Sequence, residues 1–363
     1  IGVQVYLDST DKNNVAVAFE VMEDGFGGKD QVTSIEKIIG SNNADTIKGD
    51  SNKNTISSGD GDDTIIASLG SDTIDGGTHT AGTGGGDWLS FEALNSAVTA
   101  IMANGSISDG FGTTNISNIE NLLGTILGDT LTGDANNNTL DGNAGDDVID
   151  GGAGNDYLDG GNDTDTVNYT YINSVSLYDK GVNVNLKNGT ATDMTGGTLV
   201  GIDTLKNIEN VVGTKNNDSI VGNSSANTLY GGDGADTLEG NEGDDSLDGG
   251  AGDQDFVSFN YKASGAGGIT VDLSKTVAQN TDGDSTDDLI IANIENIEGS
   301  VNDDKITGNA SNNIIKSLAG DDIIYASGGS TLRKLLQNSS NVKLLNKIAG
   351  SMMIGIGIWL ALT

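Results

Sequence analysis

The chain has no cysteine, no proline and one histidine in 363 residues. Without cysteine there are no disulfides, no thiolate metal sites and no cysteine nucleophile. A single histidine excludes a zinc site built on two or three imidazoles, including the H-E-x-x-H protease motif. Average usage would place about 18 prolines in this length. Aromatic residues make up 4% of the chain, and cations are scarce: 17 Lys and Arg stand against 53 Asp and Glu, for a net charge of −36. Such a surface repels nucleic acid and suits a multivalent cation. What the chain does have is 55 glycines. Acidic, glycine-rich and poor in aromatics, it has the composition of a disordered segment.

Periodicity overturns that reading. From Gly40 onward, Asp45, Asn54, Asp63 and Asp72 recur every nine residues, each followed two residues later by Ile47, Ile56, Ile65 and Ile74. The beat returns at Asp129, Asn138, Asp147, Asp156 and Asp165 with Leu131, Leu140, Ile149, Leu158 and Val167. It returns again at Asp218, Asn227, Asp236 and Asp245 with Ile220, Leu229, Leu238 and Leu247. After one inserted residue come Asp255 and Val257, and a last run holds Asp304, Asn313 and Asp322 with Ile306, Ile315 and Ile324. An aliphatic residue fills the same slot in all 17 nonapeptides.

A longer period overlies the short one. SIEKIIGS (34–41), NIENLLGT (118–125), NIENVVGT (207–214) and NIENIEGS (293–300) open the four runs. Alternating stretches at 182–186 (VNVNL) and 269–273 (ITVDL) read as half-buried strands. The expected organisation is four modules, 1–80, 81–170, 171–260 and 261–330, each a strand-rich segment followed by a nonapeptide run. Residues 331–363 form a separate basic and apolar tail, read as a short helix.

GGAGNDYLD (151–159) and GGDGADTLE (231–239) carry glycine at positions one, two and four, Asp at six and an aliphatic residue at eight. Glycines reach the positive φ values that fold six residues into a tight turn with inward carbonyls. A position-six Asp adds a short carboxylate beside them, and oxygen-only ligands of mixed type suit Ca²⁺ better than octahedral Mg²⁺. The position-eight residue centres a three-residue strand and points into a core.

This pattern resembles the G-G-x-G-x-D-x-U-x repeat of the RTX (hemolysin-type calcium-binding) family, a parallel β-helix signature. The resemblance implies an all-β, parallel β-roll in four runs, with two nonapeptides per coil and Ca²⁺ held between turns n and n+2 on one edge. Carried over, it pairs Asp129 with Asp147, Asp147 with Asp165, and Asn138 with Asp156. It also pairs Asp218 with Asp236, Asp236 with Asp255, Asn227 with Asp245, and Asp45 with Asp63. Asp72, Asp304 and Asp322 complete the expected ligand set. The second repeat of every run has Asn at position six (Asn54, Asn138, Asn227, Asn313), a neutral ligand expected to weaken its site. Runs one and four contain poorer glycine patterns, ASLGSD (67–72) and SLAGDD (317–322).

Other constellations carry less. TDGDSTDD (281–288) starts like an EF-hand loop but has Asp287 where that loop needs glycine and Asn293 where it needs Glu, so it reads as a solvated acidic loop. His79, in a glycine-rich loop without a Ser elbow or partnered base, reads as a solvent histidine. Trp88 and the scattered Tyr and Phe read as packing residues. No phosphate-binding G-x-x-x-x-G-K-[ST] loop is present.

The tail holds Arg333, Lys334, Lys343 and Lys347, no acids, and an apolar run from Ile348 to Leu362, leaving residues 1–330 at −40. Fifteen residues fall short of the roughly 20 that span a bilayer. The wording of 347–362 resembles the C-terminal helix of LysE/RhtB-type exporters, which points first to a join between two unrelated coding sequences, with a membrane-anchoring or secretion tail as the alternatives. The chain opens at Ile1 in mid-strand, so an upstream portion is expected. The resemblance implies a calcium-binding, non-enzymatic structural module of a large secreted bacterial protein such as an adhesin, at the cell surface and exported by type I secretion. Cell-surface or polysaccharide ligands would engage regions outside this stretch. The alternative is the repeat region of a secreted protease, lipase or mannuronan epimerase with its catalytic domain upstream.

Overall fold

The computed structural model describes residues 4–6, 20–23, 30–31, 35–79, 85–108, 112–170, 180–194, 201–252, 254–262, 267–279, 281, 289–325 and 343–344. Most of the acidic loop at 281–288 and all of the tail except strand Lys343–Leu344 lie outside the described residues, and so does the helix expected there. Among the described residues no helix is long and apolar enough to cross a membrane. The described chain is almost entirely β, with one 3-10 turn at Met102–Asn104.

Residue contacts divide the chain into two units, Ile1–Val212 and Gly213–Thr363. In the first, one sheet stacks parallel strands Gln4–Tyr6, Thr46–Lys48, Thr64–Ile66, Trp88–Ser90, Asn121–Leu123, Thr139–Asp141, Tyr157–Asp159 and Ile202–Lys206 in that order. A second sheet begins with Lys37–Ser41, Thr55–Gly59, Thr73–Asp75 and Thr113–Ser117. An antiparallel insertion, Ser106–Ser108 and Thr99–Ile101, connects these to parallel strands Thr130–Thr132, Val148–Asp150, Thr166–Asn168 and Asn210–Val212. Within the runs, partners lie 18 residues apart, as in Leu140 beside Leu158 and Leu131 beside Ile149. Two nonapeptides therefore make one coil.

The second unit repeats the plan. Ser219–Val221, Thr237–Glu239, Phe256–Ser258, Asn296–Glu298 and Ile315–Lys316 stack in parallel. Thr228–Asp233, Asp245–Ala251 and Leu289–Ala292 form another row, and Thr270–Asp272, Lys305–Thr307 and Ile323–Tyr325 a third.

Strands this short survive because each puts its middle residue into the core and leaves its flanks at the surface. The position-eight residues are buried in every nonapeptide except the one at Ile315, which is half-buried. The strand expected at 182–186 is Val182–Asn185, with Val182 and Val184 buried and Asn183 exposed. That at 269–273 is Thr270–Asp272, its Val271 buried. The core is thus a column of single aliphatic side chains between two thin sheets, and the polar turns lie at the edges.

Candidate metal centre

The turns end at position six, where the backbone N–H lacks a ladder partner. The next coil supplies one. Asp129 N–H donates to Asp147 Oδ1 at 2.6 Å, and Asp147 N–H to Asp165 Oδ1 at 2.9 Å. Asn138 N–H reaches Asp156 Oδ1 at 2.9 Å, and Asp45 N–H reaches Asp63 Oδ1 at 2.7 Å. In the second unit Asp218 donates to Asp236, Asp236 to Asp255, and Asn227 to Asp245, at 2.7, 2.8 and 2.9 Å. Asn54 donates to Asp72 and Asp304 to Asp322 at 2.8 and 3.0 Å. The structure thus brings together each pair of position-six residues two turns apart.

The remaining oxygens sort most turns into three kinds, apart from Asp72, whose Oδ2 accepts the Ser68 hydroxyl at 3.1 Å. At the start of a run, Asp45, Asp129, Asp218 and Asp304 fold back on their own turns. Their Oδ2 atoms accept the N–H of Ser41, Thr125, Thr214 and Ser300 at 2.5, 2.5, 2.5 and 2.7 Å, and Oδ1 accepts the same residue's hydroxyl. At the Asn turns, Oδ1 of Asn54, Asn138 and Asn227 likewise accepts the position-two N–H, from Asp50, Asp134 and Asn223, each at 2.8 Å.

The glycine turns differ. Here position two is left-handed: φ is +76° at Asn143, +89° at Gly152, +101° at Gly161 and +112° at Gly232. The amides of Asn143 and Gly152 turn away from position six and donate to Asp141 and Asp150, at 2.9 and 3.0 Å. Asp147, Asp156, Asp165 and Asp236 are each left with a buried Oδ2 that has no hydrogen-bond partner. Position one is glycine for a second reason. A Cβ on Gly231 would collide with Asp236 Oδ2 and lie 2.7 Å from the Gly249 carbonyl oxygen. A buried carboxylate oxygen and a backbone carbonyl oxygen therefore approach one point.

Burial dominates the electrostatics. It pushes Asp147, Asp156 and Asp236 up to about 8, with neighbouring carboxylates adding to the effect and the N–H bond to Oδ1 opposing it. Asp165 rises to about 6 for the same reason. Asp63 and Asp322 are raised by burial against the opposing bonds from the Asp45 and Asp304 amides and the Ser58 and Ser317 side chains. Anions held this way need a proton or a cation. Orphaned carboxylate oxygens among backbone carbonyls, with no nitrogen or sulfur, fit a hard cation of calcium's type.

Segments 39–74, 124–167, 208–238, 221–253 and 298–331 match the family model described as the RTX calcium-binding nonapeptide repeat. These four runs are RTX calcium-binding nonapeptide repeats. As RTX repeats they bind Ca²⁺. No relative among curated proteins matches the chain. No comparison supports the exporter likeness of the tail.

Several residues bonded in the same manner as position six escaped the reading of the sequence. Glu120, Glu209 and Glu295, inside the NIEN segments, accept the N–H of Asp87, Asp165 and Asp255 at 2.9, 3.0 and 3.2 Å. The signal was the same two-residue spacing to Leu122, Val211 and Ile297, with Glu in place of Asp. Asp87 and Asp203 were hidden by long insertions. Asp87 Oδ1 accepts from Asp63 at 2.8 Å, and Asp203 Oδ1 from Asp156 at 3.2 Å while its Oδ2 accepts the buried Tyr169 hydroxyl at 3.2 Å. His79 needs correction: it is half-buried, with Nδ1 3.3 Å from Glu120 Oε2, because the Thr78 backbone is tied to the preceding coil.

Proposed function

We propose that this chain is a non-catalytic module of a large secreted bacterial protein of the adhesin or surface kind, and that calcium gates its folding. The observation that carries the reading is the set of partnerless Oδ2 atoms on Asp147, Asp156, Asp165 and Asp236. Calcium supplies the positive charge that these turns lack. The residues that would hold it are the position-six carboxylates of the glycine turns and the carbonyls around them. Asp45, Asp129, Asp218 and Asp304, already satisfied by a Ser or Thr, order the start of each run instead.

Metal binding to such a chain is folding free energy. At −36 it repels itself, and its three-residue strands do not offset the ordering entropy alone. In a low-calcium cell interior the chain stays unfolded and suited to type I export; at millimolar extracellular Ca²⁺ it folds. Circular dichroism tests this. The full chain in EGTA is expected to lack the β signal and to gain it at millimolar Ca²⁺, with little response to equal Mg²⁺. A spectrum indifferent to chelation refutes the proposal. The core that the described residues form is a column of aliphatic side chains, a poor lining for a catalytic site, so protease, lipase and polysaccharide-modifying assays of the calcium-loaded chain are expected to read blank.

A further inference from the structure

One cluster at the end of the first run is chemically unlike the other turns. Thr78 N–H donates to the Gly59 carbonyl and Gly61 N–H to the Thr78 carbonyl, both at 2.9 Å, so the backbone entering His79 is fixed to the coil before it. His79 Nδ1 lies 3.3 Å from Glu120 Oε2, which also accepts the Asp87 N–H at 2.9 Å. Asp87 is fully buried. Its Oδ1 is occupied by the Asp63 N–H at 2.8 Å, and its Oδ2 is buried without a hydrogen-bond partner. One ligand atom from each of the three residues lies within 4.8 Å of the other two. The His79 and Glu120 side chains are 28% and 18% exposed, which leaves the cluster an open rim.

The imidazole changes which metal such a site prefers. Calcium takes oxygen ligands almost exclusively, whereas nitrogen beside carboxylates suits zinc and its first-row neighbours. Three protein ligands leave a position for water. We propose that His79, Asp87 and Glu120 form a separate binding site for a divalent transition metal, with zinc as occupant, in a molecule whose glycine turns offer oxygen alone.

The test uses the full chain at millimolar Ca²⁺, which fills the oxygen sites, titrated with Co²⁺ and then Zn²⁺. One Co²⁺ per chain is expected to bind with visible d–d absorption and to leave on addition of one equivalent of Zn²⁺. The chain has a single histidine, so its imidazole C2–H proton gives one NMR peak, which is expected to move on zinc addition. His79→Ala is expected to weaken Co²⁺ binding at least tenfold while the calcium-induced circular dichroism stays the same. Glu120→Gln keeps an acceptor for the Asp87 N–H and is expected to weaken it less. An imidazole peak unmoved by zinc, Co²⁺ uptake equal in wild type and His79→Ala, or uptake abolished by calcium overturns the proposal. The imidazole measurement decides the matter in wild-type protein even if the variant loses its calcium response.

Discussion

The turns GTILGD (124–129) and GNAGDD (142–147) sit on the same edge one coil apart, and they solve one problem in opposite ways. Thr125 gives Asp129 both an amide and a hydroxyl, at 2.5 and 3.1 Å, so the carboxylate is satisfied without outside help. In the next coil Asn143 is left-handed, its amide goes to Asp141, and Asp147 keeps a bare, buried Oδ2. The two turns differ at four positions, and the one that decides where the amide points is position two, Thr125 against Asn143. The run thus begins on a coil that holds itself and continues through coils that cannot.

The largest effect expected from this contrast is on acidity without calcium. Burial raises Asp147, Asp156 and Asp236 from an ordinary value of 3.8 to about 8, and Asp165 to about 6. The folded, metal-free chain therefore binds protons that the unfolded chain releases. Stability from these groups is full below about pH 4 and is lost as pH rises through 6 to 8. In EGTA, acidification from pH 8 to pH 5 is expected to restore β signal. With calcium the sign reverses, because the ion must displace those protons, and the calcium midpoint is expected to fall as pH rises from 6 to 8. A midpoint flat across that range breaks the comparison.

Next in size is Asp147→Ala, expected to raise the calcium midpoint about tenfold, or about 1.4 kcal/mol; in the metal-free fold the lost acceptor for the Asp129 N–H is offset by removal of a bare buried oxygen. Asp236→Ala is expected to behave alike in the second unit. Asp129→Ala is expected to weaken the fold both in calcium and in EGTA at pH 5, and equal behaviour at 129 and 147 in urea melts removes the distinction. Thr125→Val is expected to cost about 1 kcal/mol, the net value of the lost hydroxyl hydrogen bonds. That loss should be the same in calcium and in EGTA at pH 5, where protons restore the fold, as read by chemical denaturation. Smallest is Asn227→Ala, whose Oδ1 bonds its own turn at Asn223. Its calcium midpoint is expected to move by about threefold or less, under 0.7 kcal/mol. A shift as large as that of Asp236→Ala would place the Asn turns among the cation-dependent ones.

Where residue identity alone decides the outcome, the sequence was readable. The aliphatic residue at position eight has one place to go, and the nine-residue beat fixes the 18-residue strand register. The difference between Asp129 and Asp147 was not readable from position six, since both are Asp. It rests on position two, where Thr caps and Asn or Gly takes positive φ, a substitution visible in the sequence but without meaning until the amide's direction is known. Leu318, at φ +59°, shows the limit of reading glycine alone: run four keeps the left-handed turn with a residue that resists it. Insertions hid Asp87 and Asp203 because they break the count of nine without breaking the stack. His79 looked solitary for the same reason, its partner Glu120 lying 41 residues on.

The hydrogen bonds from position six all point one way: the donor belongs to the earlier coil and the acceptor to the later one. The stack therefore has a polarity, like a filament with two unlike ends. Its later end presents an N–H awaiting a carboxylate, whereas the carboxylate at its earlier end is already engaged, as Asp129 is by Thr125 and the Val98 N–H. The glutamates at 120, 209 and 295 cover the donor end of a series. A coil laid down at the donor end meets a waiting amide that draws its own acid into register. One laid down at the opposite end must bring its amide to an acid already buried. Bonding along this edge is directional by construction, so the two ends of a run offer unlike templates to a coil that adds to them.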